Sequence, residues 1–142
     1  MGQQQMLLIV LGVIIVGIAI FGALGLWEEY TFNSTVDQIR VKTDFVFDDA
    51  ISNFSRPEAN GGGGRKTFAN WTPPKSLLSD PLLFKNFNKG RTKGTKTTAT
   101  FYITTTLTDS KDKDIPIQGS VDRDNQRTRT WYDSGKKKWY RF

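Results

Sequence analysis

The chain contains no cysteine and no histidine. Without thiols there are no disulfides, thiolate metal sites or cysteine nucleophiles, and without imidazole the commonest metal ligand and general base is gone. Most familiar enzyme mechanisms are excluded with them, so neither an activity nor a cofactor or metal is expected. Charge is missing from the N-terminal end, where the first charged side chains are Glu28 and Glu29 and no Lys or Arg precedes the apolar stretch. An ordinary signal peptide or anchor carries such a basic start. Proline is absent until Pro57, so nothing of that kind interrupts a helix in the first third of the chain.

What is present begins with Met6 to Trp27, an uncharged run of 22 residues. At about 1.5 Å rise per residue such a helix covers about 33 Å, the thickness of a bilayer core. Trp27 and Tyr30 stand at its edge, where aromatic rings favour the membrane interface. Gly12, Gly17, Gly22 and Gly25, with Ala19 and Ala23, permit close approach between helices that have no hydrophobic drive inside lipid. Beyond the run, Phe47, Ala50, Ile51 and Phe54 recur at i, i+3, i+4 and i+7, which predicts an amphipathic continuation over residues 28–56. Asn33, Ser34 and Thr35 are poor helix formers and predict a kink or fraying near 31–35 within one helix of about 50 residues.

About 115 residues follow the apolar run, enough for one small domain, and 37% hydrophobic with 13% aromatic content is a folding composition. Residues 57–96 hold Gly61 to Gly64, Thr72-Pro73-Pro74 and Asp80-Pro81, which predict a draped loop. Its Phe68, Trp71, Leu77, Leu78, Leu82, Leu83 and Phe84 are apolar enough to pin it to a core. Residues 97–142 change to strand chemistry in "TTATFYITTTLT", "IPIQGSV" and "RTRTWYDSGKKKWYRF", with "DSKDKD" and Asp133-Ser134-Gly135 as turns. Three to four antiparallel strands and an α+β fold class are predicted.

A short start ending in Gly2, an immediate uncharged helix, its amphipathic continuation, a Gly-rich loop and a small C-terminal antiparallel sheet together resemble a type IV pilin or a related pilin-like filament subunit. The resemblance covers the architecture of the whole chain and, in sequence, the stretch from Gly2 to Leu26. It implies a leader of residues 1–2 removed by a prepilin peptidase between Gly2 and Gln3, and a helix over 3–27 that serves as membrane anchor and then as filament core. Leu7, Val10, Gly12, Val16, Gly17, Ile20 and Gly22 would pack in that core. The implied partners are further copies of the chain, the peptidase and the pilus assembly machinery. The implied location is the cytoplasmic membrane before assembly and the cell surface afterwards. Leu7 stands where the family usually places a Glu, so no buried carboxylate neutralises the new N-terminal amine.

Net charge is +6 but unevenly spread: residues 28–84 balance at −2 and residues 85–142 at +8. Subunits made to meet their opposites would set Asp44, Asp48 and Asp49 of one copy against Lys85, Lys89, Arg91, Lys93, Arg127 or Arg129 of the next. The alternative function is a single-pass anchored binding module for DNA or an acidic polymer, with "KNFNKGRTKGTK" tracking phosphates while Phe84 and Phe87 stack on bases. A solvated basic loop is the plainer reading of that run, and nucleic acid is the weaker candidate partner. Asp109, Asp112 and Asp114, like Asp122, Asp124 and Asn125, have chelating spacings but lack the glycine and terminal Glu of an EF-hand loop. Asn33, Asn53 and Asn70 each begin an N-glycosylation acceptor sequence.

Overall fold

The computed structural model describes residues 2–87, 92–109 and 111–142, without the side chains of Leu77, Leu78 and Phe87. The chain divides into two compact units, Met1–Val36 and Asp37–Phe142. Helix α1 runs from Gly2 to Ser55 without the expected break at 31–35. Thr31 and Thr35 donate their hydroxyls to the carbonyls of Trp27 and Thr31 at 2.8 and 2.9 Å, so these poor helix formers satisfy their side chains along the helix.

The helix ends where its last carbonyls pass to the Gly-rich loop. Gly63 N–H donates to Asn53 O at 3.0 Å, Gly64 N–H to Arg56 O at 2.9 Å and Arg65 N–H to Phe54 O at 2.8 Å, which satisfies groups a helix C-terminus leaves orphaned. Gly63 is required by this close return, since a Cβ there would sit 1.9 Å from Thr67 O.

Six strands form one antiparallel sheet among the described residues: β1 (Phe84–Phe87), β2 (Lys93–Gly94), β3 (Thr98–Thr108), β4 (Asp114–Asp122), β5 (Arg127–Asp133) and β6 (Lys138–Arg141). The order is β1-β3-β4-β5-β6, with β2 also beside β3. After residue 97, where three to four strands are expected, the chain forms β3 to β6. The segment 57–96 departs from a draped loop: it holds a 3₁₀ turn (Glu58–Asn60), a short helix α2 (Lys75–Leu78), and β1 and β2. It also donates Phe68 N–H to Thr95 O at 2.8 Å. Apolar side chains close to an open sheet edge gain both burial and ladder bonds there, which the count of breakers obscured.

In the second unit, Ile39, Thr43, Val46, Phe47, Ala50 and Phe54 form the buried face of α1. They share a core with Ala99, Phe101, Ile103, Ile117 and Val121 of the sheet and with Phe68, Trp71, Leu83 and Phe84. Phe47 meets Phe101 at 5.4 Å between centroids, and Phe54 stacks on Phe68 at 4.5 Å. Leu82 stays exposed because its backbone is what binds: its carbonyl accepts from the Thr106 hydroxyl at 2.8 Å. The expected core contacts of Leu77 and Leu78 lie outside the described side chains.

Candidate functional site

Two surfaces carry the residues singled out in the sequence. The first is the apolar part of α1. Every residue from Gly2 to Asn33 is exposed, and sixteen large hydrophobic side chains between Met6 and Trp27 are 49% to 83% open. The helix is long and apolar enough to cross a membrane. Gly2 and Gln3 lie in its first turn, and Leu7, Val10, Val16 and Ile20 are among the exposed side chains. A Cβ added at Gly12, Gly17 or Gly22 would meet nothing within 4 Å, so the surface there is open to another helix or to lipid.

The second surface is the acidic shoulder of α1, whose Asp44 and Asp48 are paired within the chain. Asp44 and Asp48 face β5 of the same chain. Arg127 reaches Asp48 Oδ1 with Nη2 at 2.6 Å and Asp44 Oδ1 with Nη1 at 3.3 Å. Arg129 donates Nη2 to Asp44 and Nε to the Thr43 hydroxyl, the latter at 3.0 Å. Both guanidinium groups also lie over the Phe47 ring, at 5.9 and 5.3 Å from its centroid. Burial opposes the charge on Arg127, but the Asp48 and Asp44 carboxylates outweigh it and hold the group above its usual pKa. Asp49 is committed too, its Oδ2 accepting from the buried Trp71 indole at 3.0 Å.

Of the basic partners, Lys85 is paired with Asp114 at 2.5 Å and Lys93 is exposed on β2. Lys89 and Arg91 lie outside the described residues. Asp37 and Arg40 form an i, i+3 pair at 3.6 Å. The signal for the internal clasp was in "RTRTWY". Period-two alternation puts Arg127, Arg129 and Trp131 on one face of β5, the face that β4 fills with Ile117 and Val121. Cations on a core-facing row demand partners.

A second junction escaped the sequence reading. The Asp109 carboxylate after β3 accepts from the Ser134 hydroxyl and backbone N–H in the β5–β6 turn, and from the N–H groups of Lys111 and Lys113. The Ser134 hydroxyl is the leading cause that brings its pKa down from 3.8 to about 2; loss of hydration opposes it, and those backbone donors add to it. The glycosylation acceptors differ in access. Asn70 is exposed in a turn and Asn33 is exposed on α1, whereas the Asn53 side-chain oxygen is buried without a partner. The chain matches no protein-family model, no curated protein and no solved structure.

Proposed function

We propose that the protein is a structural subunit of a type IV pilin-like filament, held in a membrane by the apolar part of α1 before assembly and polymerised outside the cell through the same segment. One observation carries this reading. The sixteen exposed hydrophobic side chains between Met6 and Trp27 are each worth about 1.5–3 kcal/mol when fully removed from water, so together they represent tens of kcal/mol. A small domain is stable by only about 5–15 kcal/mol. Such a segment requires apolar surroundings, first lipid and then copies of itself, and its open glycines favour close helix packing. A heterologous helix contact that does not close generates a filament. On this reading cleavage between Gly2 and Gln3 yields a mature chain with Gln3 at its N-terminus.

The test is fractionation of the native host with electron microscopy of sheared surface material. Filaments containing the chain, with a mature mass that begins at Gln3, are the expected result. Complete retention in the membrane fraction without filaments would replace assembly by a single-pass anchored module, and recovery in the soluble fraction would remove the membrane as well.

A further inference from the structure

Among the described side chains of the basic run 84–96, no exposed aromatic ring stands beside the cations. Phe84 is buried in the core and Lys85 is ion-paired, while Arg127 and Arg129 are spent on α1. The combination stands instead on the β5–β6 hairpin at the edge of the sheet. Trp131 and Asp133 turn toward the core, so Tyr132 between them and its register partner Trp139 face outward together. Their rings meet at 5.2 Å. Among the described strand residues, Trp139 is the large hydrophobic that stays exposed, at 40%. Arg141 lies two residues along the same face and is exposed, as is Lys137 in the turn, whereas Lys136 and Lys138 reach over Tyr140 on the opposite face, at 5.8 and 5.9 Å from its ring centroid.

Nearby carboxylates do not cancel these charges by direct pairing. Asp133 is buried and accepts from the N–H groups of Gly135 and Lys136 at 2.8 and 3.2 Å, and Asp109 is taken by Ser134 and its own turn. The neighbouring outward positions on β5 are Thr128 and Thr130, uncharged and able to lie under a strand without repulsion.

We propose that this β5–β6 edge is a docking site for single-stranded nucleic acid, with a base stacked on Trp139 and the flanking phosphates met by Arg141 and Lys137. Stacking tolerates any base because every base has a π-face, and a duplex hides those faces within its own stack. The phosphates supply the charge complement to these two cations and make the contact salt-dependent. The site requires no assembly of copies, so it stands or falls apart from the filament reading.

The experiment is fluorescence anisotropy with the full chain in detergent micelles, titrated into a labelled oligothymidylate, the same length of duplex DNA, and a polyuronate of similar charge. The single strand is expected to bind tightest. Trp139→Ala should weaken it about tenfold, as loss of one stacked base implies, while Trp139→Phe retains most of the affinity. Replacing Lys137 and Arg141 together by Gln should lower the slope of log affinity against log salt by about 1.4. Arg141→Gln, whose side chain is exposed and leaves the core intact, should also weaken binding. Equal affinity for duplex or polyuronate would overturn the proposal in favour of a charge-only surface, and unchanged affinity in both Trp139→Ala and Arg141→Gln would overturn it outright.

Discussion

Asp44 accepts from two arginines while Thr43 beside it accepts from one of them, so a single helical turn of α1 satisfies both core-facing cations of β5. Removing Asp44 leaves Arg129, whose side chain is 15% exposed, with the Thr43 hydroxyl and the Phe47 ring in place of a carboxylate. A charged hydrogen bond is worth about 1.5–3 kcal/mol and an exposed pair about 1 or less. Asp44→Ala should therefore cost about 1–3 kcal/mol in urea melts of the Asp37–Phe142 unit, with Asp44→Asn costing less. A change within about 0.5 kcal/mol, as for an ordinary surface substitution, would show that the clasp contributes nothing. The other carboxylate with a defined duty is Asp109. Its folded pKa of about 2 lies below the ordinary 3.8, so as pH falls the unfolded chain takes up the proton first. Its stabilisation is present above about 3.8 and is lost as pH drops through about 2. Ser134→Ala removes the leading cause of the depression, and a carboxyl-carbon NMR titration should then find Asp109 moved up toward 3.8. An unmoved titration would assign the effect to the backbone donors alone.

At the scale of elements, the close pairing of β3 and β4 depends on a glycine. Phe101 is fully buried, and a Cβ on Gly119, its partner across the ladder, would come within 2.3 Å of the Phe101 ring. Replacing a strand glycine by alanine ordinarily stabilises by lowering the entropy of the unfolded chain, so the sign is diagnostic here. Gly119→Ala should destabilise by about 1–3 kcal/mol through overpacking, and a raised melting temperature would show that the ring has room to move. Elements of this kind were readable where a periodicity ran long enough. The apolar run gave α1, the 3.6-residue spacing of Phe47, Ala50 and Phe54 gave its buried face, and the alternation of "TATFYIT" gave β3. What escaped depended on neighbours distant in sequence. β1 and β2 exist because β3 offers them an edge, and Thr31 and Thr35 stay helical because carbonyls four residues back accept their hydroxyls. The acidic shoulder was visible as charge, but its partners sit 79 to 85 residues away, beyond what helical spacing reveals.

For the whole molecule, the clasp decides what charge reversal does. Changing Asp44 and Asp48 to Lys sets two new cations against Arg127 and Arg129, so it should destabilise the Asp37–Phe142 unit, and any loss of filaments would then report folding and not contact between copies. A cleaner probe of assembly lies in the other unit, Met1–Val36, whose substitutions leave the core of Asp37–Phe142 untouched. Val16 stands at the middle of the uncharged run and is 57% exposed. An arginine at the centre of a membrane helix costs about 2.5–3.5 kcal/mol on insertion scales, against about 0.3–0.6 gained by each strongly apolar residue. With a mean hydropathy of 3.1 in its best window, the segment tolerates one such charge and Val16→Arg should remain in the membrane fraction. A bundle of copies has less tolerance, because every subunit would bring an unpaired cation into an apolar core that water does not reach. The variant should therefore stay membrane-bound, melt like wild type in its folded unit, and form no filaments. Filaments of normal yield from Val16→Arg would show that this stretch of α1 is not the assembly core, and loss of the variant from the membrane fraction would show that insertion alone had failed.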